Sequence, residues 1–415
     1  MPSEEFMTEK ELSIPEPIPF GDVTDSEAEF NDVLLGDAPA ALPPRTNPEG
    51  VERRFYVPIG IQIRQQKLIE AARLGAGTDT WAGLQRMLDD LEAAVITEDG
   101  VKVTKSGNPG GTQYLELIGK FRTWLRDPLG SEPPCTIFSK GNKKLPFWQF
   151  VTLPGVTCPG AGECLAKGGT EFGEPDWKKG WCYSFSAWRY PVAFFRQLQN
   201  TLLMRMEDKS PIERDALAKF EPGQAVRLYV DGDFDSLATL EYWMHFVERF
   251  PENRFYGYSK SWGIFAQWHA KHGGRWPENY LLNLSGGTKS EARWMAEGRP
   301  DLFDAEVRRM MSLKHPDTGR PVARGTFRPV RSDIPSPKPT KAEMDAGVRS
   351  TTKAKFEAFR QSALANYTGE GRPFVCPGNC GMCLPGGRHA CGSRDFEGVP
   401  IIVGFVAEKG KTGAA

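Results

Sequence analysis

Residues 225–261 read AVRLYVDGDFDSLATLEYWMHFVERFPENRFYGYSKS, and the fold turns on them. AVRLYV is a short apolar run that ends in acids. SLATLEYWMHFVERF (236–250) then places apolar residues three and four apart, as an amphipathic helix requires. RFYGYSKS (254–261) returns to the aromatic-rich pattern of a strand. A strand, a helix long enough to cross over and a second strand form the repeating unit of a parallel sheet.

The same alternation extends outward. LPFWQFVTL (145–153), YLLNLSGG (280–287), PFVCPG (373–378) and PIIVGFVAE (400–408) are further strand candidates. SAWRYPVAFFRQLQNTLLMRM (186–206), GIFAQWHAKHG (263–273) and DLFDAEVRRMMSLKH (301–315) have helical spacing between them. The pattern predicts an α/β body with a parallel sheet over residues 145–415, either open or closed as a barrel. FRPVRSDIPSPKPTK (327–341), proline-rich and basic, is expected to be an exposed connector or arm. Upstream, three amphipathic stretches at 59–75, 80–96 and 113–127 predict a helical module over residues 51–130.

Charge is unevenly distributed. Residues 1–50 hold twelve acids against two bases, so a chain of net charge −1 carries +9 on its other 365 residues. That segment has the low hydrophobicity of a disordered acidic tail, and a basic body implies an anionic partner, nucleic acid first. The chain is 40% hydrophobic and 25% charged, and no run approaches the roughly 18 apolar residues of a membrane span. Its first residues, MPSEEFMTEKELS, lack a charged start followed by an apolar stretch, so a cytoplasmic protein with no membrane partner is expected.

Polar residues gather where the expected strands end. VRLYV runs into Asp231, Asp233 and Asp235, RFYGY into Ser259 and Lys260, YLLNL into Ser285, and PFV into Cys376. In parallel α/β folds the carboxyl ends of the strands face the ligand crevice. Asp231, Asp233 and Lys260 are therefore the candidate catalytic residues, while Asp235 or Ser236 suits the cap of the following helix. A calcium loop is excluded, because its glycine and glutamate positions are Ser236 and Tyr242. GGTKS (286–290) lacks the spacing of a triphosphate-binding loop. Trp188 with Arg189, and Lys260 with Trp262, would suit stacking on bases.

The eight cysteines carry the sharpest signal. Four lie in CPGNCGMCLPGGRHAC (376–391), where Cys376, Cys380, Cys383 and Cys391 are interleaved with glycine and proline and His389 offers a substitute ligand. In a reducing compartment such a run reads as a metal site, zinc or iron–sulfur, before it reads as disulfides. Cys158, Cys164 and Cys182 form a second group just after the first strand candidate, with intervals of five and seventeen residues. Three cysteines suit a cluster with one open iron, whereas a closed zinc site wants four. Cys135 stands alone and is expected to be a small core residue.

Through CPGAGEC, WCYS, VRLYVDGDFDS, RFYGYSKS, NLSGG and IIVGFVAEKG, residues 145–410 resemble the gene product eighty-eight family of phage and plasmid proteins. The layout is also distantly similar to radical S-adenosylmethionine enzymes. That resemblance implies a partial TIM-type barrel, a [4Fe–4S] cluster on Cys158, Cys164 and Cys182, and Trp181 as the aromatic preceding the third ligand. It further implies S-adenosylmethionine bound with Asp231, Asp233 and Ser285, and an auxiliary cluster on Cys376, Cys380, Cys383 and Cys391. The expectation is an iron–sulfur protein of a mobile element, acting on or near nucleic acid. The competing reading is a non-catalytic factor that binds DNA, RNA or a host protein and uses zinc or iron–sulfur structurally.

Overall fold

The structure is a computed structural model. It describes residues 77–97, 100–101, 110–141, 147–155, 157–165, 182, 184, 187–188, 190–331, 334, 353–377, 383 and 389–405. The expected acidic tail, the stretch 59–75, Trp181 and Cys380 lie outside the described residues.

The described residues begin with helices α1 (Gly77–Val95) and α2 (Gly110–Trp124), between which lies a two-residue antiparallel pair, β1 (Ile96–Thr97) with β2 (Gly100–Val101). Both helices fall where periodicity places them. Their buried faces, with Leu84, Leu88, Ile118 and Phe121, join one apolar core with the α/β body. Tyr114 packs on Phe194 and Phe195 and donates its hydroxyl to the Trp188 carbonyl.

The body is mixed α/β around an eight-stranded sheet, ordered β3-β4-β5-β6-β7-β8-β10-β9. Its strands are β3 (Ser139–Lys140), β4 (Trp148–Gln149), β5 (Ala225–Leu228), β6 (Arg254–Ser259), β7 (Tyr280–Ser285), β8 (Ala323–Arg331), β9 (Phe374–Val375) and β10 (Ile401–Phe405). Only the edge pair β3–β4 is antiparallel, and the sheet is open. From β4 to β8 each strand lies beside its predecessor. Right-handed crossovers repeated in one direction put their helices on one face.

The core confirms that placement. Val226, Leu228, Phe255, Tyr280, Leu282 and Leu284 share an apolar cluster with helices α3 (Pro191–Arg205), α4 (Ser210–Lys219), α5 (Leu237–Glu248), α6 (Trp262–Lys271) and α8 (Pro300–Met311). The alternate residues Tyr256, Tyr258, Leu281 and Phe327 pack instead with Cys376, Cys383 and Cys391. The two faces therefore have different covers: helices on one, the C-terminal cysteine segment on the other. Helices α7 (Lys289–Ala296) and α9 (Lys353–Ala365) complete the body. The sequence reading missed α4, α7 and α9.

One expectation is corrected. Residues 327–331 are not part of a connector; they are the second half of β8, paired with β10 from Phe327 to Arg331. Proline in a central strand argued against this. However, β7 ends at Ser285 opposite Phe327, and Phe327 already offers its carbonyl on that side to the Gly286 amide. Pro329, two residues on, points its missing N–H to the same side, beyond the end of β7, so no ladder bond is lost.

The turn leaving β5 fixes the layers. Tyr229 is left-handed at φ 54°, which ends the strand, and Gly232 follows at φ 79°. Ser236 caps α5 by accepting the Thr239 amide at 3.2 Å. Asp235, with a side chain 2% exposed, pairs with Arg205 of α3, 8% exposed. Removing one partner of a buried pair strands the other charge. Asp235→Ala is expected to destabilise the fold by about 3–5 kcal/mol in urea titration, and adding Arg205→Met to recover part of that loss. Additive losses in the double variant would contradict the pairing.

Candidate functional site

The loop leaving β4 carries Cys158 and, in a short 3-10 turn (Glu163–Leu165), Cys164. Cys182 returns to it, donating its amide to the Cys164 carbonyl at 2.9 Å. All three cysteines pack with Ala161 and Leu165 in one small apolar cluster, apart from the main core. Residues 6 and 18 positions apart thus meet in one nest. Burial raises the Cys158 thiol well above its ordinary value, helped by Asp233 and the other two thiols. Burial also pushes Cys182 up to about 12, with Cys164 adding to the effect. As thiolates these groups repel one another and need a cation.

Two carboxylates of the β5 turn border the nest. Asp231 accepts from Ser184 Oγ at 2.6 Å and from Gln197 Nε2 at 2.9 Å. Burial still raises its pKa, against those bonds and the Arg227 charge. Asp233 accepts from the Phe234 and Lys260 amides, each at 2.8 Å, and from Ser261 Oγ at 3.2 Å. Burial outweighs these donors and holds Asp233 at about 6.

Close backbone contact ties this loop to the sheet. Gly162 donates to the Gly287 carbonyl at 3.2 Å, and Gly160 accepts from the Lys289 amide at 2.8 Å. A side chain at Gly160 would collide with the Lys260 carbonyl, and one at Gly162 with that of Thr288. Lys260 sends its ammonium across to the Gly286 carbonyl. Ser285 ends β7 nearby but makes no hydrogen bond to the thiols or the acids among the described residues.

The C-terminal cysteines form a separate group on the other face of the sheet. Cys376 follows β9 and donates its amide to Ile402 at 2.7 Å. Cys383 Sγ accepts from the Ala390 amide at 3.2 Å. Cys391 is buried; its thiol is raised by desolvation, against a hydrogen bond from Tyr258 and the charges of Arg324 and Arg227. His389 lies between Phe147 and Tyr256, with ring centroids at 5.1 and 4.6 Å, and burial beside Arg254 and Arg227 lowers it to about 4. It is therefore neutral, with a free ring nitrogen among the described residues.

Sequence reasoning placed the three early thiols beside Asp231 and Asp233, and the structure brings these five residues together. It missed Ser184 and Gln197, which hold Asp231. Their signal was weak: Gln197 sits in a run from Arg196 to Thr201 that is buried although polar, and sequence alone does not reveal burial. Cys135 is a core residue as expected, with burial pushing its thiol up to about 11. Among the described residues, no group of three or more His, Cys, Asp and Glu side chains is placed so that it could hold a metal ion. The fit to a metal thus rests on the donor set, three thiols gathered in one nest.

Two outcomes check this site. Gly160→Ala is expected to unseat the cysteine loop and lower the melting temperature by several degrees, whereas Gly119→Ala, with open space around it on α2, should be neutral or stabilising. Asp233 has a folded pKa above its unfolded one, so its stabilising contribution is complete below about 3.8 and is lost as pH rises through about 6. In metal-free protein, that loss between pH 4 and 7 should reach at most about 3 kcal/mol and disappear in Asp233→Asn. Parallel pH profiles of the two proteins would contradict it.

Comparison with known proteins adds one assignment. No curated protein and no solved structure matches the chain, and among the described residues no helix is long and apolar enough to cross a membrane. The model of one family, gene product 88, matches residues 136–354, which include Cys158, Cys164, Cys182, the acidic turn, Lys260 and Ser285 but not the four C-terminal cysteines. That span is more than half of the 415 residues, and the chain belongs to the gene product 88 family.

Proposed function

We propose that this is an iron–sulfur-binding protein of a mobile genetic element, with Cys158, Cys164 and Cys182 as ligands of a [4Fe–4S] cluster. The observation that carries the reading is the meeting of three thiols at the carboxyl ends of parallel strands, beside two buried carboxylates. Three is an odd number for disulfides and the usual number for a cluster with one open iron. Single-direction winding from β4 to β8 supports a partial TIM-type barrel, opened out, as the framework.

A cluster in this nest would supply electron transfer or a coordination place for a small molecule. The chain's own residues do the rest. Asp233, near 6, can hold or release a proton at its carboxylate beside the nest. Asp231, fixed by Ser184 and Gln197, keeps lone pairs for an amine or hydroxyl such as those of S-adenosylmethionine. Lys260 ties β6 to the β7 exit and positions Asp233 through its amide.

A second reading is favoured by the C-terminal group. Cys376, Cys383 and Cys391, with neutral His389, sit among Tyr256, Leu281 and Ile401 as a clip on the sheet, which suits structural zinc or iron–sulfur. Here the chain would bind nucleic acid or a host protein without catalysis, and the +9 of residues 51–415 supports the former.

Anaerobic purification with iron, sulfide and zinc assays separates the two. The first reading expects iron with matching sulfide, lost when Cys158, Cys164 and Cys182 are replaced by serine and retained, at least in part, when Cys376, Cys383 and Cys391 are replaced. Zinc alone, or iron unchanged in the first triple variant, would overturn it.

A further inference from the structure

We propose that the cleft between the first turns of α6 and α7 binds a nucleoside phosphate. The cleft holds about 290 Å3 at the carboxyl ends of β6 and β7, at the lower end of the volumes that small-molecule sites occupy. Its walls include Lys260, Lys289, Trp262, Trp294, Gln267 and Glu306. The wall thus combines cationic, aromatic and polar side chains.

Charge argues first. Lys260 is half-buried, and its ammonium donates to the Gly286 carbonyl. Among the described residues no carboxylate pairs with it. A cation withdrawn from water without a counter-charge is costly, and an anionic ligand removes that cost. Lys289 lines the same wall and has interactions of its own. The one acid named there, Glu306, is already engaged by Arg309 through two contacts of 2.6 Å. Lys260 therefore offers an anion a partner in the cleft.

Shape argues next. A simple anion needs no aromatic wall, yet two tryptophans line this cleft. Trp262 is fixed, with its indole N–H on the Ser259 carbonyl at 2.9 Å and its ring against Phe303. Trp294 is half-buried, carries the Arg293 guanidinium 5.7 Å from its ring centroid and lines the cleft. A base stacks on such a ring whatever its sequence identity, and the exposed amide of Gln267 supplies a donor and an acceptor for its edge. Phosphate on Lys260 and base against Trp294 account for a wall that is both cationic and aromatic.

The ligand can be a free nucleotide or the terminal nucleotide of a strand, since both present the same group. The cleft is separate from the thiol nest, being divided from it by the Pro159–Gly160 backbone, so this inference stands without a metal in that nest.

Calorimetric titration of the full chain with AMP, inorganic phosphate and a 5′-phosphorylated oligothymidylate tests it. AMP is expected to bind at least about tenfold more tightly than phosphate, and Trp294→Ala to weaken AMP about tenfold while leaving phosphate nearly unchanged. Lys260→Ala should weaken both. If it fails to fold, Trp294→Ala carries the test. Tighter binding of the oligonucleotide identifies a strand end as the source, and equal or weaker binding a free nucleotide; either upholds the site. No heat with AMP or the oligonucleotide, or titrations unchanged by both substitutions, would overturn it. Binding that persists in the variant with Cys158, Cys164 and Cys182 replaced by serine keeps the cleft distinct from the thiol reading, and loss there alone would overturn the cleft as its location.

Discussion

Three buried carboxylates in five residues must each find partners, and the way they do so organises the body. Asp231 is held by Ser184 and by Gln197 of α3, Asp233 by the Lys260 amide and Ser261 hydroxyl that follow β6, and Asp235 by Arg205 of α3 and Thr239 of α5. A buried carboxylate without such donors is prohibitively costly. The DGDFD turn thus locks a loop, a neighbouring strand and two helices to the end of one strand. Left-handed backbone, strained at Tyr229 and freely adopted at Gly232, lets three acids leave one short turn in different directions.

Helix α3 applies the same logic on the other side. Its residues from Arg196 to Thr201 are buried although mostly polar. Gln199 takes both backbone groups of Cys135, Asn200 the Ile137 carbonyl, Arg196 the Thr136 carbonyl, and Thr201 the Leu153 amide. These bonds replace ladder bonds that the short strands β3 and β4 do not make. The exit of β4, from which the cysteine loop departs, is held both by backbone bonds of Phe150 and Thr152 to Arg227, Val230 and Asp231 and by the Thr201 hydroxyl of α3.

Periodicity made most of the parallel body legible, because β5, β6, β7 and β10 each pair an apolar run with a helix or edge of fixed spacing. It failed at β8, where Arg324, Arg328, Arg331 and Pro329 disguise a central strand. Arg324 is buried there and bonded to Asn283 at 2.6 Å and to the Phe396 carbonyl at 2.7 Å, partners 41 and 72 positions away in the chain. The thiol nest was legible in part. Cysteines after a first strand and acids after the next pointed to one place, but Ser184, Gln197 and the glycine contacts depend on packing that no local pattern encodes. Helix α7 was hidden because its eight residues, KSEARWMA, are too few to establish a period.

The glycines at 160 and 162 decide how the two candidate sites relate. Peptides this close to Lys260 and Thr288 leave no room for a side chain, so the loop can sit only where it touches the exits of β6 and β7 together. One side of it bears Cys158 and Cys164. The other, at Pro159 and Gly160, is a wall of the cleft that holds Lys260 and Lys289. The Lys260 amide reaches Asp233 on the thiol side while its ammonium reaches the Gly286 carbonyl at the exit of β7. A single residue and a single loop thus border both spaces, and no shift of the loop that alters the distance between thiols and acids can leave the shape of the cleft unchanged. Separate chemistries placed on such a boundary are coupled by geometry, since packed elements of this density do not deform independently.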